Sequence, residues 1–319
     1  MTKRGCLFAG IALIAAMSAV HAQDAATYPS KPVQVIIPWA PGGIVDNVGR
    51  AVARAMGSTL GQPFIVMNRD GAAGTIGTAQ VAASKPDGYT LGWGPITPIT
   101  NATHLMKSVS YEFDSFQYIC QVFENTFAIA VAADSQFKSL SDLLAYLAAN
   151  PGKVTYGHLG VGSISHLSME NLLHARNLKV TDAPYRGSPV ILPDLQTGRL
   201  AFGIANVSDL MGRPVRILGI FADRRHPAIP DVPTVSELGL PSLQPALNGL
   251  IAPKGTPADV VRKLEQACDA AAKSEEFRAT MQKFREPIIY YGREAFTERS
   301  ARDNSDKAQL VKTLGLIPH

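Results

Sequence analysis

The chain reads as an α/β protein of two lobes, each a mostly parallel sheet flanked by helices. Three observations predict this. Short apolar runs rich in β-branched residues alternate with helical segments over short links, the pattern of parallel sheets covered by helices. That alternation occurs twice, in residues 33–95 and again in residues 154–205. The length of 319 residues also favours about two domains over one. With 46% hydrophobic and 18% charged residues the chain has ample core and is not disordered.

The first segment reads as an export signal. Lys3 and Arg4 precede an apolar run of 14 residues, 7–20, interrupted only by Ser18. Val20-His21-Ala22 places small or compact residues for a cut after about Ala22. The run falls short of the ~20 residues that span a bilayer. Cys6 lies ahead of the run, not after it, which argues against a lipid anchor. No later segment is long and apolar enough to span, so the expected product is soluble and exported.

Residues 28–32 form a stiff lead-in to the strand expected over residues 33–37. Residues 38–43 (PWAPGG) neither continue a strand nor begin a regular helix, because proline lacks an N–H and paired glycines favour unusual backbone angles. From Ile44 onward Val45, Val48, Val52, Ala55 and Met56 share one helical face. The free N–H groups at that helix start, with the helix dipole, suit an anion, although an ordinary strand-to-helix turn reads the same way. Strand 64–67, a glycine-rich loop 68–74, helix 75–83 and strand 89–93 follow. Ligands in such sheets bind beyond the carboxyl ends of the strands, which puts Trp39, Pro41, Gly42 and Gly43 on one rim with Pro95 and Thr97.

Strands are expected at 116–123 and 126–132, with the chain passing into the second lobe between them. A helix over 139–149 has Ser139 as its N-cap and Pro151-Gly152 beyond its end. The strand–helix pattern then repeats: strand 154–157, loop His158 to Ser163, helix 164–175, strand 179–183, helix 188–197, strand 200–205 ending at Asn206, and strand 215–221. Residues 227–245 carry five of the 22 prolines and read as an extended surface segment. Helices at 256–272, 275–284 and 293–313 have no strand pattern among them and are expected to pack back on the first sheet. The domains are therefore 1–22 signal peptide, 28–125 with 247–319 as lobe 1, and 126–246 as lobe 2.

The net charge is +4; without Lys3 and Arg4, 28 basic residues face 26 acidic ones. No Lys/Arg cluster suggests nucleic acid. Cys120 and Cys268 could pair in an oxidising compartment or remain as two buried thiols. No Cys/His spacing resembles a metal site.

Several constellations have competing readings. Gly160-Val161-Gly162-Ser163 follows a strand and opens a helix, but the third glycine of a dinucleotide fingerprint is missing. As an anion loop it fits better, and it is the second such loop in the chain. Ser163 with His166 invites a hydrolase reading, but Ser163 lacks flanking glycines and a capping serine beside a structural histidine accounts for both. Asp46 is placed to pair with Arg50 four residues on, or to face a ligand. Arg186 sits in a glycine-flanked rim loop where it could bind a carboxylate or be solvated. Trp39 could wall the cleft or cover the sheet edge.

Several ordered segments together resemble the Bug-type solute receptors of tripartite tricarboxylate transporters. They are Tyr28-Pro29-Ser30-Lys31-Pro32, Pro41-Gly42-Gly43 with Asp46, Asn68-Arg69 leading to Gly74 and Ile76-Gly77, and Pro86-Asp87-Gly88-Tyr89-Thr90-Leu91. Gly160, Gly162-Ser163 with His166-Leu167, Pro184-Tyr185-Arg186-Gly187 and Pro230-Asp231-Val232-Pro233-Thr234 continue the match, and Ala252-Pro253 and Thr256-Pro257 extend it. The resemblance implies a periplasmic, two-lobed type II binding protein, not an enzyme, with no cofactor. It implies two loops that close as a pincer on a small carboxylate: Pro41-Gly42-Gly43 with Asp46, and Gly160 to Ser163, with Tyr185 and Arg186 on the rim. Membrane subunits of the transporter are the implied partner, and a monomer is the default. Two departures stand out. His158 replaces a small residue after the second-lobe strand, where it would add a titratable donor near the cleft, and a family tryptophan is replaced near Leu247-Asn248. The alternatives are a secreted hydrolase using Ser163 and His166, and a solute sensor for a signalling partner.

Overall fold

The computed structural model describes residues 27–315 except 223 and 244; the leader expected at 1–22 lies outside the described residues. Two five-stranded sheets form the two lobes. The first contains β1 (Val33–Ile37), β2 (Phe64–Asn68), β3 (Thr90–Pro95), β4 (Phe116–Asn125) and β10 (Ala246–Pro253), in the order β2-β1-β3-β10-β4. The second contains β5 (Phe127–Ala132), β6 (Thr155–His158), β7 (Thr181–Pro184), β8 (Phe202–Asn206) and β9 (Val215–Phe221), in the order β7-β6-β8-β5-β9.

Both sheets are mixed, and in each of them four of the five strands run the same way, as expected, while one is reversed. In the first, β1 pairs parallel with β2 and β3, while β10 pairs antiparallel with β3 and β4. In the second, β6 pairs parallel with β7 and β8, while β5 pairs antiparallel with β8 and β9. The reason is the route of the chain. It leaves lobe 1 along β4 and enters lobe 2 as β5, with only Thr126 between them, then leaves along β9 and returns as β10. A strand that enters a lobe from the cleft must run opposite to strands whose carboxyl ends face the cleft.

Strand β10 has no counterpart in the sequence expectations. Its eight residues are all buried, yet Asn248 and Gly249 in its middle dilute the β signal. The glycine answers to close packing: a Cβ at Gly249 would lie 2.1 Å from the Cys120 carbonyl oxygen and 2.7 Å from the Phe296 ring. Boundaries also shift: β7 and β8 begin two residues later than expected, and β4 runs on to Asn125.

Helix α1 (Ile44–Leu60) lays Ile44, Val48, Val52 and Met56 on the first sheet. Gly49 sits mid-helix because the Trp93 ring occupies the space a Cβ would need, 2.3 Å away, and the Trp93 indole donates to the Val45 carbonyl at 3.0 Å. Helix α2 (Thr75–Ala82) covers the other face. Lobe 2 carries α3 (Leu140–Ala149), α4 (Ile164–Ala175) and α5 (Ser188–Gln196). Ser139 caps α3, accepting from the Asp142 amide, as its position predicts.

Three C-terminal helices pack on lobe 1. α6 (Ala258–Lys273) and α7 (Glu275–Phe284) lie against α1, and α8 (Arg293–Thr313) against β4. A disulfide joins Cys120 in β4 to Cys268 in α6 across 148 residues, resolving the choice the sequence left open. Closing so long a loop removes much conformational freedom from the unfolded chain. Reduction, or Cys120→Ser with Cys268→Ser, should lower the unfolding free energy by about 2–5 kcal/mol. Urea unfolding with and without reductant checks this; coincident midpoints would mean that the bond adds nothing.

Candidate functional site: the cleft between the lobes

The first loop is fixed by Asp46, in the first turn of α1. Its carboxylate accepts from the Gly42 amide at 3.0 Å, from Arg50 Nε at 3.0 Å and from Asn68 Nδ2 at 2.9 Å. Asn68 also donates to the Trp39 carbonyl at 3.0 Å, so Asp46 and Asn68 together hold residues 39–42 in place. Burial pushes the Asp46 carboxyl up, but the bonds from Arg50, Gly42 and Asn68, with the Arg50 charge, outweigh it and hold the group below its ordinary value. Asp46 therefore serves the loop and faces neither of the cavities described below.

The helix start has an anion, and the chain itself supplies it. The Ile44 amide donates to Asp209 Oδ1 at 3.0 Å, and Asp209 belongs to lobe 2. Burial pushes the Asp209 carboxyl up despite bonds from Asn206, Ser188 and the Ile44 amide. A polar chain runs from there across the lobes. Asn206 Nδ2 donates to Asp209 at 2.9 Å and to Ser188 Oγ at 3.1 Å, Asn125 donates to Asn206 Oδ1 at 2.7 Å, and Asn248 donates to Asn125. Asn125 and Asn248 lie on β4 and β10, next to the two crossings between the lobes.

Trp39 separates two spaces. On one side is a narrow space of about 30 Å³, lined by Trp39, Gly43, Pro95, Thr97, Ser163 and Asn206 together with Asn125, Ser188 and Asp209. That is room for a water or two and not for a dicarboxylate. Two buried donors on its wall, Trp39 Nε1 and Thr97 Oγ1, have no partner. On the other side is a cleft of about 260 Å³ between Gly71, Ala72, Ala73 and Gly74 of lobe 1 and Gly160, Tyr185 and Arg186 of lobe 2. The lobes touch here. Gly160, at φ +106°, would place a Cβ 3.0 Å from the Ala73 backbone.

The second loop is internally bonded as well. Its Gly162 amide donates to His166 Nδ1 at 3.2 Å, and Ser163 Oγ caps α4 by accepting from the His166 amide at 3.3 Å. Ser163 Oγ also lies 2.9 Å from Ser165 Oγ, and no bond joins it to the His166 ring, so the hydrolase pair is not assembled.

The cleft thus brings together Trp39, Gly43, Pro95, Thr97, Gly160, Ser163, Tyr185, Arg186 and Asn206, and leaves Pro41, Gly42, Asp46, His158 and Gly162 off both walls. His158 corrects the picture of a donor near the ligand. It ends β6, is fully buried, bonds Asp182 at 2.9 Å, and its ring centroid lies 4.5 Å from that of His166. Burial lowers the His158 pKa in spite of Asp182, and lowers His166 to about 4, helped by the His158 charge. Asp209 and Asn125 are absent from the sequence reading, and Asn248 enters it only as a departure from the family pattern. Asp209 alone left a signal, standing three residues after Asn206 at the end of a strand.

Two α/β lobes joined by two crossings, with a cleft between them, are the architecture of a solute-binding receptor. Residues 48–316 match the tripartite tricarboxylate transporter family receptor, and the chain belongs to that family. It is 32% identical over 285 residues to protein BugT of Bordetella pertussis, covering 86% of this chain and 87% of that one. Its fold is similar to that of periplasmic binding protein BugD, with a TM-score of 0.85 and 29% identity over 92% of this chain and 100% of that one. It is also similar to MatC from Rhodopseudomonas palustris with bound malate, with a TM-score of 0.82 and 29% identity over 89% and 100%. The chain is accordingly a periplasmic-type solute receptor and not an enzyme.

Because the folded Asp46 carboxyl titrates below its unfolded value of 3.8, its contribution is complete above that value and is lost as pH falls through the lower folded one. Asp46→Asn should cost about 2 kcal/mol at neutral pH, and the gap to wild type should close below pH 3.8. Denaturant unfolding from pH 7 to pH 3 checks this; a gap that widens on acidification contradicts it.

Proposed function

We propose that this receptor captures a small carboxylate between its lobes and delivers it to the membrane subunits of a tripartite tricarboxylate-type transporter. The observation that carries this is the pair of unpartnered buried donors, Trp39 Nε1 and Thr97 Oγ1, of two residues that line the narrow space between the lobes. A buried donor left unpaired costs about 1–3 kcal/mol. A carboxylate oxygen accepts from both without any chemistry. Arg186, on the neighbouring cleft, suits the far carboxylate of a longer solute. Malate in the similar MatC structure supports a solute of that size. The space of about 30 Å³ is too small for it, so the lobes part to admit the solute and close on it, bending at the two crossings. Export of residues after about Ala22 would place the receptor in the periplasm as a monomer.

The test is a thermal-shift and calorimetric screen of protein refolded free of carried-over solute, using malate, succinate, citrate and the corresponding amides. A carboxylate should raise the melting temperature and its amide should not, since only what binds the folded state stabilises it. Trp39→Phe and Thr97→Val should each weaken that solute about tenfold, the value of one hydrogen bond to a charged group. Absence of binding by every carboxylate, or equal binding by acid and amide, overturns the proposal.

A further inference from the structure

Behind the second loop the fold gathers three side chains that the cleft does not use. His158 ends β6, His166 lies in the first turn of α4, and Asp182 stands on β7 beside β6. One nitrogen of each histidine and one Asp182 oxygen lie within 4.8 Å of one another. We propose that His158, His166 and Asp182 bind one divalent transition ion of the zinc class, and that loading this site releases the amide of Gly162.

The geometry is close to what such an ion needs. His158 Nε2 and Asp182 Oδ2 are 2.9 Å apart. Ligands at ~2.0–2.1 Å around a tetrahedral ion stand about 3.3 Å from each other, so small side-chain rotations make room. Two imidazoles with one carboxylate suit zinc and its neighbours, whereas calcium and magnesium prefer oxygen alone. The Asp182 side chain is 43% exposed, which gives the ion a path in and a place for a water as fourth ligand. All three residues belong to lobe 2, so the site exists whether the lobes are open or closed.

The histidine protons favour the same conclusion. His158 is fully buried, with Nε2 on Asp182 and the Gly160 backbone as the other hydrogen-bonding contact of its ring. With its proton on Nε2, the ring has no N–H left for the Gly160 carbonyl. With the proton on Nδ1, a nitrogen lone pair faces a carboxylate at 2.9 Å, and a cation between them removes the repulsion. The neutral form of imidazole is the one that binds metals.

His166 couples the site to the loop. Its Nδ1 accepts from the Gly162 amide. An ion on Nδ1 uses that lone pair. An ion on Nε2 leaves the proton on Nδ1 and turns it into a donor. Either way the Gly162 N–H loses its acceptor and residues 160–163 must adjust. If the proposed capture of a carboxylate holds, the ion thereby alters one jaw of the cleft; the metal site itself does not depend on it.

The test uses untagged protein stripped by a chelator, titrated with Zn²⁺ by calorimetry and with Co²⁺ by visible absorption. One equivalent should bind, with the intense Co²⁺ bands of a four-coordinate site and a changed Gly162 amide resonance. Asp182→Asn, at a partly exposed position that leaves the core intact, and His158→Gln should each weaken binding by about 100-fold, since even outer-shell partners of a metal are worth ~10–100-fold. His174→Gln, at an exposed position of α4, and His104→Gln, half-buried in lobe 1, should bind as wild type does. No stoichiometric binding, or binding that survives both site variants, overturns the proposal, and neither outcome bears on whether a carboxylate binds in the cleft.

Discussion

The backbone amides at a helix N-terminus need acceptors, and the cleft is built from the ways this chain provides them. At α1 the Gly42 amide goes to Asp46 of the same helix, and the Ile44 amide goes to Asp209 of the opposite lobe. At α4 the His166 amide goes to Ser163, and the Gly162 amide goes to the His166 ring. One of these bonds spans the lobes. The helix start that is ready for a foreign anion is therefore also the point where lobe 2 grips lobe 1. A carboxylate of the protein already occupies that helix start.

That bond sets the character of the contact between the lobes. Asp209 is buried and its carboxyl is pushed up, so holding it ionised in the interface costs free energy that its bonds only partly offset. A second buried acid, Glu286, lies near enough for Asp209 to raise it further; burial is the larger cause, and His226 at 3.5 Å opposes it. The interface thus keeps unsatisfied polar groups within an apolar cluster that runs through both lobes.

Strand direction connects fold and site. Every lobe presents carboxyl ends to the cleft, and the chain crosses twice between lobes, so each sheet must contain one reversed strand. The reversed strands β5 and β10 lie next to the last strands before each crossing, β9 and β4. This brings Asn125 and Asn248 side by side at the boundary, where they join Asn206 and Asp209 in one polar line.

The sequence by itself determined what depends on local order. The strand–loop–helix units at 33–60 and 155–175, the Ser139 and Ser163 caps, and the glycines at 42 and 160 are legible because periodicity, capping and positive φ are properties of neighbouring residues. It also located the rim, since carboxyl ends follow from strand direction. Tertiary structure alone decided how those groups were used. Strand β10 is masked by Asn248 and Gly249, and its glycine makes sense only against Cys120 and Phe296. Asp209 meets Ile44 across 165 positions, and Cys120 meets Cys268 across 148. His158 and Asp182 stand 24 positions apart and meet because β6 and β7 are adjacent. Each of these pairings is a contact between elements, and no spacing within one element encodes which partner the fold will bring.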